Sequence, residues 1–383
     1  MKVVIACDSY KGCMSSREVA DKIEEGIHKA RADVETISYV IADGGEGSVE
    51  AFSQTCGGTK QSVHTTDAYG KRIVSEYTLI EGGTTAVIEA ANIIGLNMHE
   101  REKRMPFFGS SFGVGTVILD AVNKGCKKVI IGLGGTATND GGMGLLQCLG
   151  CRFYDQEHKY LSPQAMNLEK IRYIDFHRLN KLEDVELIAA CDVKNHLLGP
   201  EGASFVFGKQ KGFYPNQLKK IDAGMENYRN QIQRYTKIDI NEFEGGGAAG
   251  GIGAVLIGIL NAKMTPGIEL LLSYSDMEDM VKDCDLVITG EGQSDRQTMF
   301  GKVPVGILEV ANRYRKPTIC ISGALGIGYL DLFELGFIGI YSISDRAMTF
   351  QQALENAPEK LSAATYSIMK TILYFFDQNQ SSI

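Results

Sequence analysis

The chain has no tryptophan, eight prolines in 383 residues, and six histidines that do not cluster. Scattered histidines argue against a zinc site and against Cys–His catalysis. The nine cysteines are placed mostly singly in apolar surroundings (Cys7, Cys126, Cys191, Cys320), the pattern of reduced thiols in a cytoplasmic protein. One C-x-x-C, Cys148–Cys151, has no second pair and is read as structural. The formal net charge is −8 and no long basic run occurs, so a nucleic-acid partner is not expected. No apolar stretch approaches the ~18 residues that span a bilayer. The longest, Ile252 to Leu260, is broken by Gly253 and Gly258. The N-terminal apolar run meets Asp8 too soon for a signal peptide, so neither a membrane nor secretion is expected. The G-x-S-x-G elbow of hydrolases is missing. So is the Walker pattern, because Gly301-Lys302 is followed by valine and lacks the upstream glycine.

Glycine, by contrast, is abundant at 44 residues, and it gathers in clusters. The densest stretch runs from Val129 to Gly144 and reads VIIGLGGTATNDGGMG. Its apolar start predicts a buried strand, its glycines a loop without side-chain bulk, and Leu145-Leu146 the start of a helix. Such a turn lets backbone N–H groups reach an anion and aims a helix N-terminus at it. Asn139 and Asp140 are expected to face solvent or ligand there.

Other strand ends repeat the theme. Val3–Ala6 reads as a strand ending in Asp8-Ser-Tyr-Lys11-Gly, with Ser15 or Ser16 capping the next helix. Val34–Ile41 ends in Ala-Asp43-Gly-Gly-Glu46-Gly, Val185–Ala190 ends in Cys-Asp192-Val, and Asp285–Thr289 ends in Gly-Glu291-Gly with Asp295 beyond. In open parallel sheets the carboxyl ends of the strands form the ligand crevice, so these loops collect carboxylates at one rim. From Thr59 to Asn92 the pattern changes to an antiparallel meander. Gly245, Gly247 and Gly250 form a formal G-x-G-x-x-G, but no buried strand precedes it, and it reads as a loop packed against another backbone.

The expected class is α/β. A Rossmann-like parallel-sheet domain is built from residues 1–60 and 265–383, and a mixed α/β domain, residues 61–264, is inserted in it. The active site is expected in the cleft between them. Carboxylates, lysines and exposed amides suit Mg²⁺ and polyphosphate, and hence phosphoryl transfer.

The strings DSYKG (8–12), ADGGEG (42–47), TAVIEAA (85–91), GGTATNDGG (134–142), CDV (191–193), GGGAAGG (245–251) and ITGEG (288–292) with Asp295 and Gln297 closely resemble the bacterial glycerate kinase family, in its order and over nearly the whole chain. The resemblance implies ATP- and Mg²⁺-dependent phosphorylation of D-glycerate, with 2-phosphoglycerate the favoured product and 3-phosphoglycerate the alternative. The chain departs from the family pattern at Met105-Pro106, His196 and Gln293. Within this reading Asp192 or Asp8 is the general base. Lys11 offsets phosphoryl charge or binds the glycerate carboxylate, and Asp43, Glu46 and Glu291 hold Mg²⁺. Gly134, Gly135, Thr136 and Gly141 cradle phosphate, Asn139 and Asp140 orient substrate or metal, and Asp295 and Lys302 line the opposite wall. An oligomer is compatible with the sequence. Two rivals are a dinucleotide-dependent oxidoreductase of a small hydroxy acid and a non-catalytic small-acid binding protein.

Overall fold

The computed structural model describes residues 1–41, 47–179, 182, 184–300 and 302–380. The chain divides into two compact units, residues 1–43 with 268–383, and residues 44–267.

The first unit opens with β1 (Lys2–Cys7), α1 (Ser16–Ala30) and β2 (Glu35–Val40). The second unit begins with α2 (Ser48–Cys56), β3 (Thr59–Thr66), β4 (Arg72–Ile80), β5 (Thr85–Glu89) and α3 (Ala91–Ile94). Next come α4 (Phe112–Asn123), β6 (Lys128–Gly132) and α5 (Met143–Cys148). A small antiparallel pair, β7 (Arg152–Tyr154) and β8 (Tyr173–Asp175), precedes β9 (Glu186–Ala190). Then follow α6 (Ala203–Lys211), α7 (Pro215–Thr236), α8 (Ile252–Gly258) and β10 (Lys263–Thr265). With α9 (Gly267–Ser273) and α10 (Met277–Asp283) the chain returns to the first unit. That unit continues through β11 (Leu286–Gly290), β12 (Gln293–Ser294) and α11 (Val303–Arg313). It closes with β13 (Thr318–Ser322), β14 (Ala324–Leu325), β15 (Gly339–Ser342) and α12 (Phe350–Gln380).

The first unit is a five-stranded sheet in the order β15-β13-β11-β1-β2, with every neighbouring pair parallel. Its central strands are mainly apolar and almost wholly buried, as strands covered on both faces are. Counted along the chain, the order is 2-1-3-4-5, the doubly wound arrangement whose switch point lies between the first and third strands. Here that is between β1 and β11. Ser15, not Ser16, caps α1, and Glu18 returns a bond to the Ser15 N–H, so both orphan donors are answered. The apolar face of α1 (Val19, Ile23, Ile27) packs against α12. The two helices cross closely at Gly26, where a Cβ would stand 2.5 Å from the Ser362 carbonyl oxygen.

The second unit is a six-stranded mixed sheet in the order β10-β9-β6-β5-β4-β3. β3, β4 and β5 form the antiparallel meander that the sequence pattern predicts, and β5, β6, β9 and β10 run parallel. A boundary near residue 60 would leave α2 in the first unit. In the structure α2 packs on β4 and β5 and belongs to the second. The cause is Glu89, which ends β5 and accepts from the N–H groups of Gly47 (3.1 Å) and Val49 (3.3 Å). A buried carboxylate thereby fills the N-terminus of α2.

The glycines from Gly245 to Gly251 take the packing role expected of them. A Cβ on Gly250 would lie 2.1 Å from the Thr138 carbonyl oxygen, and one on Gly247 would lie 2.4 Å from that of His196. Gly250 also has φ +68°. Gly250→Ala therefore combines a left-handed backbone with a backbone clash, and it should destabilise the fold by about 2–5 kcal/mol in urea unfolding.

Candidate active site

The first unit carries a pocket of about 390 Å³ at the carboxyl ends of β1, β11, β13 and β15. It therefore opens at the switch point of the sheet, where doubly wound folds take their ligands. Asp8, Lys11, Glu291, Asp295 and Lys302 all line it. Five of the residues singled out from sequence are thus brought together, although they come from opposite ends of the chain.

Local geometry explains how. After β1 the chain turns tightly, with Tyr10 and Met14 bonded to each other through their backbones. The buried Tyr10 hydroxyl donates to the Ile321 carbonyl at 2.7 Å and pins this loop to β13. Gly290 ends β11 without a side chain because a Cβ there would sit 1.9 Å from that same carbonyl oxygen. The two-residue strands β12 and β14 then pair in parallel beyond β11 and β13.

Asp8 is nearly buried, and its Oδ1 accepts from the Ser9 N–H at 2.7 Å. Lys11 is exposed at the pocket mouth. Glu291, expected to hold a metal, meets the protein's own donors. Its Oε1 accepts from Ser294 (3.0 Å) and Thr298 (2.6 Å), and its Oε2 accepts from Lys302 Nζ at 3.2 Å. Both oxygens are engaged by donors that lie within the unit, and the Oε2 contact aims Lys302. Lys302 is the N-cap of α11, with Pro304 in the first turn of that helix. Asp295 accepts from the Gln297 N–H (2.8 Å) and from Gln293 Nε2 (3.0 Å). Sequence reasoning missed Ser294 and Thr298, whose hydroxyls carry no motif. It also missed Lys360, a pocket lysine paired with Asp345 on an otherwise apolar stripe of α12.

In the second unit the glycine-rich loop after β6 differs from the expectation. Only Gly134 and Gly135 reach the surface, and Thr136 through Asp140 are buried. Asp140 Oδ2 accepts from the Ser111 N–H (2.7 Å), the Ser111 hydroxyl (2.8 Å) and the Gly144 N–H (3.0 Å). Its Oδ1 accepts from the Gly142 N–H at 3.3 Å. The anion at this helix start is thus the chain's own carboxylate, and α5, six residues long, presents its first amides to Asp140 rather than to a phosphate. Burial raises the Asp140 pKa, and these four hydrogen bonds oppose the rise. Asn139 is also buried and donates to the Ser204 hydroxyl at 3.1 Å. Gly141 donates to the Gly250 carbonyl at 2.9 Å and packs beneath Tyr228.

Lys211, buried at the end of α6, donates to the Thr138 carbonyl (2.6 Å) and to the Thr136 hydroxyl (3.2 Å). Asp192 follows β9 and is partly exposed, and its Oδ1 accepts from the Gly267 N–H at 3.0 Å. Because β5, β6 and β9 run parallel as neighbours, Glu89, the Gly134–Gly141 loop and Asp192 share one sheet edge. Asp43 and Glu46 lie outside the described residues. Among the described residues, no group of three or more His, Cys, Asp or Glu side chains is placed to hold a metal ion. Nor is any helix long and apolar enough to cross a membrane.

The sequence profile of the glycerate kinase family matches residues 3–373. The chain belongs to the glycerate kinase family. It is 37% identical to a glycerate kinase of Bacillus cereus, covering 96% of this chain and 97% of that one. It is also 37% identical to the glycerate 2-kinase of Escherichia coli, covering 97% and 98%. A crystal structure of a protein provisionally named glycerate kinase 2, from Salmonella typhimurium LT2, superposes with a TM-score of 0.82 at 38% identity, covering 98% of this chain and 99% of that one. The chain is accordingly that of an enzyme, a glycerate kinase.

Burial lowers the Lys211 pKa to about 7, with the Asp140 charge acting in the opposite sense. An unfolded lysine titrates near ~10.4. Between those values the unfolded chain binds more protons than the folded one, so stability rises with pH across that window. Urea unfolding at pH 7 and pH 9 should show the wild type gaining up to roughly 1 kcal/mol per pH unit relative to Lys211→Met.

Proposed function

We propose that the enzyme transfers the γ-phosphoryl group of ATP to a hydroxyl of D-glycerate, with Mg²⁺ accompanying the nucleotide. The observation that carries this reading is the first-unit pocket, which combines lysines at a parallel-sheet switch point with one nearly buried aspartate. Lys11 and Lys302 suit phosphate oxygens, Lys302 already being aimed by Glu291. Magnesium is commonly held by one or two carboxylates together with the substrate's phosphates. Asp8, which lines the pocket, fits that single-carboxylate role. The ion would neutralise charge on the phosphates. Asp192 is then the carboxylate that accepts the glycerate hydroxyl proton. As it does so, that oxygen forms a bond to the γ-phosphorus, and the bond from the γ-phosphorus to the β,γ-bridging oxygen breaks, releasing ADP. The E. coli relative is named a glycerate 2-kinase, which favours the 2-hydroxyl as acceptor.

The G-x-G-x-x-G at Gly245–Gly250 gives no support to a dinucleotide enzyme, because its glycines are in backbone contact with Asn195–His196 and Thr138–Asn139. Incubation with ATP, Mg²⁺ and D-glycerate, followed by ³¹P NMR, should show 2-phosphoglycerate and ADP, both abolished by EDTA. A 3-phosphoglycerate signal would reassign the acceptor hydroxyl, and no turnover would remove the proposal. Asp192→Asn keeps an oxygen for the Gly267 N–H but loses the base. It should lower kcat by about 10²-fold or more with an unchanged melting temperature.

A further inference from the structure

The first-unit pocket is larger and more two-sided than a three-carbon acid requires. Its volume of about 390 Å³ falls in the ~300–1,000 Å³ range of cavities that bury drug-sized ligands. Its lining combines the amines of Lys11 and Lys302 with an apolar wall formed by Ile343, Met348 and the start of α12. Lys360, on α12 itself, is paired with Asp345. Along α12, Phe350, Ala353, Leu354 and Ala357 recur at helical spacing and all line the pocket. The same stripe continues into Leu361, Thr365, Met369 and Leu373, which are buried, and α12 packs on α1. The stripe is thus core for most of the helix but faces the cavity over its first two turns. Phe350, at its head, is 78% exposed and lines the pocket, so its ring is open to a ligand there.

Glycerate has no apolar surface to set against such a wall. A purine nucleoside triphosphate has both kinds of surface: a flat base for the apolar side and a polyphosphate for the lysines. We infer that this pocket is the nucleotide subsite. The base lies against the wall formed by Met348, Phe350 and Leu354, and the phosphates extend toward Lys11 and Lys302. The inference rests on the kinase reading above and adds to it where the nucleotide sits and which side chains recognise its base. Phe350 supplies a face for the base, and Ala353 and Ala357 leave the room that larger residues would take.

Calorimetric titration of the full chain with ATP, and separately with inorganic tripolyphosphate, tests the assignment without relying on turnover. Phe350→Ala should weaken ATP binding at least about fivefold while leaving tripolyphosphate binding unchanged. Ala353→Trp, which fills the apolar end, should weaken ATP about tenfold or more, again sparing tripolyphosphate. Lys302→Met should weaken both ligands. Because Phe350 is so exposed, its truncation should leave the unliganded melting temperature within a degree or two, which keeps the test valid should Ala353→Trp misfold. If wild type binds ATP and both wall variants bind it equally well, or lose ATP and tripolyphosphate in parallel, the base subsite is wrong and the kinase reading stands. If wild type binds no ATP, the kinase reading itself fails, and the subsite with it.

Discussion

A carboxylate removed from water must be answered by donors, and the second unit is arranged around one that is. Asp140 is wholly buried and accepts four hydrogen bonds, two from Ser111 at the start of α4 and two from the amides of Gly142 and Gly144 at the start of α5. One side chain therefore ties two helix starts together, and the surrounding residues must crowd in to keep water out. Gly142 lies against Val255 of α8, Gly144 against Ser110, and Gly141 against Tyr228 of α7. Lys211 closes the same loop from α6 through the Thr138 carbonyl. Removing one partner of so dry a network would leave the others with unmet charge or donors, which costs far more than an exposed contact. The density of glycine here is a consequence of that crowding.

The first unit uses a carboxylate differently. Glu291 is held by two hydroxyls and in turn holds an ammonium at the pocket wall. The serine and threonine fix the carboxylate, the carboxylate fixes Lys302, and Lys302 is presented where β11 and α11 meet. Orientation of the amine is therefore settled before any ligand arrives, which lowers the ordering cost of binding. The parallel sheet supplies the rest, since every strand of this unit ends at the same edge.

Much of this was legible from residue order alone. The strand-end positions of Asp8, Lys11, Glu291, Asp295 and Lys302 follow from apolar runs that stop in polar, glycine-bearing loops, and the parallel-sheet rule gathers such loops. The meander from Thr59 to Glu89 followed from its alternation. What could not be read was which glycines serve a ligand and which serve another backbone. Gly250 and Gly135 look alike in sequence, yet Gly250 touches Thr138 and Gly135 reaches the surface. The burial of Asp140 depends on Ser111, 29 positions earlier, a distance over which local patterning carries no information. The pocket wall on α12 was hidden for the opposite reason. An apolar helical stripe reads as core along its whole length, and only the fold reveals that its first turns also line the pocket.

The first unit is built from two segments far apart in the sequence, residues 1–43 and 268–383. β1 stands between β2 and β11, and α1 packs on α12, which is made long after it. During biosynthesis the entire second unit emerges while β1 and β2 wait with one edge of β1 bare, an arrangement of long sequence separation that slows completion and exposes a strand edge. The pocket is lined both by residues just after β1 and by residues of α12, so it cannot form until α12 has been made. A chain cut short before α12 lacks that wall, and the fold thereby makes the pocket depend on two segments made far apart in time.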